Sequence, residues 1–154
     1  QVRHLRSCVL KVTRQINVIA KSNYYHENHA LLIGMPGIGT LTAMMLLTEL
    51  GDIGRFKTFD DLCSYVGLVP STSSSGENDI DTGITPRRNV RLRSALIESA
   101  WVAIRNDPAL LSSYQSLIKR MPGNRAIVRI AKKLLRRIAY VLRTKNAYER
   151  GVIN

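Results

Sequence analysis

Three kinds of residue in this chain are suited to chemistry, and they lie in separate blocks. The first is a glycine-rich turn, Gly34-Met35-Pro36-Gly37-Ile38-Gly39, between two short apolar segments. Gly37 and Gly39 permit a tight turn and close backbone approach, so free N–H groups at the helix start near Thr40 can face a phosphate. Ile38 is placed to plug the space between the two helices. A plain turn between packed helices would use the same residues. The second block is cationic: Arg87, Arg88, Arg91 and Arg93, then Arg125, Arg129, Lys132, Arg136 and Arg143, with Lys133 and Arg137 flanking and no acidic residue from 125 to 143. Cations spaced along one helix face track a phosphate backbone rather than read bases; a solvated helix face is the plainer alternative. The third block is His26 and His29, three residues apart, a spacing that fits a shared metal on a helix. No third ligand follows, so the pair reads as capping and no metal site is assigned.

The elements that must position these residues are helical. Val2, Leu5, Val9, Val12, Ile16 and Ile19 recur at alternating steps of three and four, the seam of a coiled coil. An ordinary amphipathic helix packed on its own domain is the alternative, and under either reading residues 1–21 assemble rather than catalyse. Further helices are predicted over Glu27–Ile33, Thr40–Leu50, Phe59–Val66 after a Thr58 cap, Thr85-Pro86 to Arg105, Ala109–Arg120 after Asp107-Pro108, and Asn124–Arg143. Expected core positions are Leu41, Met44, Met45, Leu47 and Leu50; Leu92, Leu96, Ala100, Trp101 and Ile104; and Ile127, Ile130, Leu134, Ile138 and Val141. Tyr65 reads as core, and Tyr140 and Tyr148 are the aromatics open to base stacking. Between them runs the polar segment Ser71–Gly83, which by composition is a connector or small hairpin. The chain reads as all-α, a helical domain with a helix-hairpin-helix motif preceded by a coiled-coil helix.

Composition narrows the partners. The 154 residues carry 23 Lys and Arg against 11 Asp and Glu, a net charge of +12, with an ordinary 45% hydrophobic content. That balance suits a folded domain and makes nucleic acid the first partner to consider, ahead of an anionic membrane surface. Cys8 and Cys63 are too few for a disulfide scaffold or a four-cysteine zinc site, and both read as buried, reduced thiols. No apolar run reaches membrane-spanning length and no signal peptide opens the chain, so a cytoplasmic, nucleoid-associated protein is expected, with no membrane partner. The chain starts at Gln1 inside a helical pattern, as a fragment would. Its charge is segregated: Glu49, Asp52, Asp60, Asp61, Glu77, Asp79 and Asp81 face just Arg55 and Lys57 over residues 40–82, while both arginine-rich blocks lie beyond.

Five motifs taken in order carry a family resemblance. They are Met35-Pro36-Gly37-Ile38-Gly39, Gly67-Leu68-Val69-Pro70, Ser74-Ser75-Gly76, Gly83-Ile84-Thr85-Pro86-Arg87-Arg88-Asn89 and Leu92-Arg93. In that order and spacing, residues from about 28 to 150 resemble the carboxy-terminal transposase domain of the insertion sequence 110/116/902 family. The resemblance implies a DNA recombinase guided by a structured RNA. It implies a preceding RuvC-like domain whose acidic residues hold Mg²⁺, absent from these residues, with no cofactor bound by this part. It places a serine nucleophile at Ser75 or Ser74, with Ser75 favoured; Arg87, Arg88, Arg91 and Arg93 are the nearest cations in sequence to hold the phosphates that gain charge during transfer.

The division expected is residues 1–26 as a coiled-coil, homo-oligomerising helix and 27–154 as the catalytic domain. DNA-backbone contacts are expected at Gly37, Gly39, Thr40, the four arginines, Arg129, Lys132 and Arg136. The competing reading is a non-catalytic helix-hairpin-helix module that binds DNA or RNA backbone. A third is a unit serving mainly to oligomerise.

Overall fold

The computed structural model describes residues 1–69 and 89–151. Among these residues the fold is all-α. It comprises α1 (Val2–Ala20), α2 (His26–Ile33), α3 (Thr40–Leu50), a 3₁₀ turn (Ile53–Arg55), α4 (Phe59–Val66), α5 (Val90–Asn106), α6 (Pro108–Ile118) and α7 (Gly123–Thr144). Local signals account for most boundaries. Thr58 and Asp61 form a reciprocal capping box at α4, and Gly67 stops it at φ 81°. Asp107 caps α6, with Pro108 in its first turn. The Thr85-Pro86 start expected for α5 lies outside the described residues. The helix described begins at Val90, where Asn89 Oδ1 accepts from the Leu92 N–H at 3.0 Å.

α7 is the spine of the domain. Ile127, Ile130, Leu134, Ile138 and Val141 are all buried, as the periodicity requires, and Ala126, Ala131, Leu135, Ala139 and Leu142 widen that face. It packs against α5 and α6, which also pack on each other, and against α2, α4 and the 3₁₀ turn. Each fully buried leucine or isoleucine contributes about 2 kcal/mol by leaving water. α2 and α3 pack on each other, and the turn between them sits on α5. At Gly37, with φ 81°, an added Cβ would lie 2.2 Å from the Ser99 carbonyl oxygen and 3.1 Å from the Ala103 nitrogen. Small Ser99 and Ala103, both buried, leave room for that approach. Ile38 is buried beside it, as expected.

Several expected burials are corrected. Leu41 is exposed, and Leu46, on a different face of α3, is in the core. Trp101 is 37% exposed and meets Tyr114 edge-on at the rim. Cys63 is buried, and burial pushes its thiol pKa up, which leaves it protonated and unreactive. Cys8 is exposed on α1 instead. That exposure reflects α1 as a whole: only its last turn docks, through Ile16 and Ala20, chiefly against α3.

Candidate nucleic-acid interface

The turn before α3 divides its two glycines between different jobs. Gly37 faces α5, where the absence of a side chain permits packing. Gly39 is the N-cap of α3, extended and exposed, and nothing lies within 4 Å of where its Cβ would be. No acidic residue occupies the first turn of α3, so the positive end of its dipole is uncompensated by the helix itself. Thr40 beside it is engaged, its Oγ1 lying 3.3 Å from His29 Nε2. His29 therefore ties α2 to the start of α3. Among the described residues no group of three or more His, Cys, Asp or Glu is arranged to hold a metal.

The start of α5 has the same polarity with cations added. Arg91 and Arg93 are exposed on either side of fully buried Leu92, and the first turn has no acidic residue. Positive side chains at a helix N-terminus oppose the dipole, a local cost that an anion bound there would reverse. Two residues apart on a helix, they diverge by about 200°, so they flank this end rather than pinch one point. Arg87, Arg88, Ser74 and Ser75 lie outside the described residues.

On α7, Arg125, Arg129, Lys132, Arg136 and Arg143 fall within about 60° of one another at roughly 100° per residue, opposite the buried face. The structure gives these cations unequal tasks. Arg125 and Arg129 are exposed, their side chains without a hydrogen bond or ion pair among the described residues. Lys132 pairs with Asp60 at 3.5 Å, and the Arg136 guanidinium covers the Phe59 ring at 4.4 Å. Arg143 donates to the Phe56 carbonyl at 3.0 Å. Three members of the stripe thus also fasten the α4 region to α7, while keeping their positive charge.

Arg137 lies about 120° round the helix from Arg125 and turns inward. It pairs with the buried carboxylate of Asp107 at 3.2 Å. Asp107 also accepts from the Ala109 and Leu110 amides, the Gly151 amide and the Tyr148 hydroxyl. Burial alone would raise its pKa, but these hydrogen bonds together hold it below the usual carboxylate value. Tyr148 is pushed the other way by burial and by its bond to Asp107. Its phenol and ring are occupied inside the chain, while Tyr140 is exposed on α7. Phe59, Asp60 and the pairing role of Asp107 were not identified from sequence, because their partners lie tens of residues away.

Comparison with known proteins gives this geometry a context. A family profile described as "Transposase IS116/IS110/IS902 family" matches residues 29–115. The transposase for insertion sequence element IS1111A of Coxiella burnetii is 34% identical over 141 residues, covering 89% of this chain and 38% of that protein. The transposase for insertion sequence element IS1328 of Yersinia enterocolitica is 33% identical over 123 residues, 77% of this chain and 36% of its own length. The pilin gene-inverting protein of Moraxella bovis is 29% identical over 161 residues, 98% of this chain and 48% of its own length. The chain spans between about a third and a half of these relatives. The matched span holds the glycine turn, the serine segment and the start of α5, and it excludes α1 and α7.

Proposed function

The chain belongs to the IS116/IS110/IS902 family of transposases, and on that premise we propose that it is the DNA-holding, serine-bearing part of an insertion-sequence recombinase. The observation that carries this reading is the convergence of family membership with two helix N-termini whose first turns hold no acidic residue and a line of cations on α7. Phosphate contacts fall to the N-terminal amides of α3 around Gly39 and Thr40, to Arg91 and Arg93 with Arg87 and Arg88, and to Arg125, Arg129, Lys132 and Arg136. Gly37 supports that surface from behind.

In the reaction, the hydroxyl oxygen of Ser75, or of Ser74 beside it, attacks a DNA phosphorus. A P–O bond to deoxyribose breaks, and the serine proton ends on the displaced oxygen. The product is a phosphoserine link to DNA, which a hydroxyl of another strand can reverse to rejoin DNA without ATP. Mg²⁺ is assigned, on the family pattern, to the acidic residues of a RuvC-like domain outside these residues. A structured RNA supplies the choice of sequence, and α1 joins copies of the protein.

The test compares Ser75→Ala and Ser74→Ala in a full-length family protein carrying this chain, reading recombination and covalent protein–DNA adducts. Loss of adducts in one variant with retained DNA binding is expected. Full activity in both would leave the serines without a role and favour a non-catalytic backbone-binding module, which the same cations and helix ends would also serve.

A further inference from the structure

Asn89, the first described residue after the serine-bearing segment, is tied to α4, the last helix before it. The Asn89 N–H donates to the Tyr65 carbonyl at 3.2 Å, although the two residues are 24 positions apart in the chain. Asn89 is fully committed there. Its Oδ1 caps α5 at the Leu92 N–H, its carbonyl accepts from the Arg93 N–H at 3.0 Å, and its Nδ2 donates to Glu49 Oε2 at 2.6 Å. Asparagine offers a capping acceptor and a donor on separate atoms of one short side chain: aspartate lacks the donor, serine and threonine have a single oxygen for both, and glutamine is too long to cap in the same way.

Glu49 is also bound through its backbone. Its carbonyl accepts from the Tyr65 hydroxyl at 3.0 Å and from Arg55 at 3.2 Å. The Arg55 guanidinium covers both the Phe56 and Tyr65 rings, at 4.6 and 4.8 Å. Glu49 is exposed and stands one residue before the end of α3, where a carboxylate meets the negative end of the helix dipole. Its position is locally unfavourable for α3 and becomes intelligible through Asn89.

We propose that Glu49 is a positioning residue, holding Asn89 against Tyr65 so that α5, which follows segment 70–88, is fixed on α4, which precedes it. This rests on the reading that the segment carries the nucleophile. A hydroxyl delivered to phosphorus from between two helices fixed on each other needs less ordering at the moment of attack, and small misplacements of a reacting group cost rate steeply. Glu49 touches neither DNA nor the reacting atoms in this scheme, so its loss acts on the rate of attack rather than on binding.

The test uses a full-length family protein carrying this chain, with four variants. Glu49→Ala is expected to slow covalent adduct formation about tenfold, while DNA affinity at fixed salt changes less than about twofold. Glu49→Gln keeps an acceptor for Asn89 and should retain the rate. Asn89→Asp keeps the cap but sets two carboxylates together, and should fall at least as far as Glu49→Ala. Combining Glu49→Gln with Asn89→Asp exchanges donor and acceptor, and should recover most of the loss. Hydrogen exchange at the Asn89 amide gives a readout independent of activity: faster exchange in Glu49→Ala but not in Glu49→Gln supports the clamp. Unchanged exchange in Glu49→Ala, or a double variant no better than Asn89→Asp alone, overturns it. Full activity of both Ser74→Ala and Ser75→Ala would instead overturn the serine reading, leaving the exchange result to decide the clamp.

Discussion

Helices α1 and α7 are both long, basic and apolar at every third or fourth residue, yet α7 buries ten residues and α1 buries Ala20 alone. Their stripes differ in width. On α7 the spine of Ile127, Ile130, Leu134, Ile138 and Val141 is broadened by alanines and leucines on both sides, enough surface to meet several helices. On α1 the apolar line is close to one side chain wide, and Val2, Leu5 and Val9 stand 63–64% exposed. A narrow seam can satisfy one partner helix but cannot form a domain core. Stability in this chain therefore belongs to α7, while α1 is left with an exposed apolar edge.

Truncation at matched positions should expose that division most strongly. Leu134→Ala is expected to cost about 3 kcal/mol of folding stability, the usual loss for emptying a fully buried leucine site. Val9→Ala, at low protein concentration, should cost less than about 0.5 kcal/mol. Denaturant unfolding monitored by circular dichroism would measure both, and sedimentation of the Val9→Ala protein would show weakened association. Equal destabilisation by the two substitutions would mean that α1 folds as part of the core after all.

The cations divide similarly within α7, because Arg137 points into the fold and Arg129 out of it. Asp107→Asn removes the carboxylate that Arg137 and Tyr148 share, and is expected to cost about 2 kcal/mol at neutral pH, as for a charge-assisted bond in a buried site. The pH dependence has a definite sign. Asp107 has a folded-state pKa below its unfolded value, so its contribution is complete above the unfolded carboxylate value of about 3.9 and is lost as pH falls through the folded value. Thermal midpoints from pH 6 down to pH 2 should show the wild-type and Asp107→Asn chains converging in acid. Parallel curves would remove Asp107 from the acid response.

The helices were legible because their signals are local. Thr58, Asp107-Pro108 and the apolar period of α7 act within a turn or two, and the predicted spans for α3 and α4 agree with the structure to the residue. The errors arose where distant contact decides. Trp101 was expected inside with Leu92, Leu96, Ala100 and Ile104, but Ser99 and Ala103 face the Gly37 turn and Trp101 is left at the rim. Asn89 was read inside a longer helix, although its tie to Glu49, 40 positions earlier, makes it a cap. On the interface, the cationic line of α7 was visible from spacing alone. That Asp60 and Phe59 engage Lys132 and Arg136 was not, since nothing in a helical period records which neighbour packs alongside. The serines and two of the arginines fall outside the described residues, and their assignment rests on the family pattern.

The smallest expected effect separates the two basic helices as DNA-binding surfaces. α1 carries Arg3, Arg6, Lys11 and Arg14, and α7 carries Arg125 and Arg129 exposed and without side-chain partners among the described residues. If DNA lies along α7, Arg129→Ala removes one phosphate contact, and the slope of log affinity against log salt should become shallower by about 0.9. Folding stability should stay within about 0.5 kcal/mol, because an exposed residue without a partner leaves nothing unsatisfied. Arg6→Ala should leave the slope unchanged if α1 serves to join copies, as proposed. Lys132→Ala should do two things at once: flatten the slope by a similar amount and loosen α4, because Lys132 holds Asp60 as well as facing the solvent side of the stripe. Fluorescence anisotropy with a short duplex across a series of salt concentrations would measure all three. A flatter slope in Arg6→Ala and an unchanged one in Arg129→Ala would reverse the assignment, giving DNA to α1 and making the stripe on α7 a device for holding the domain together.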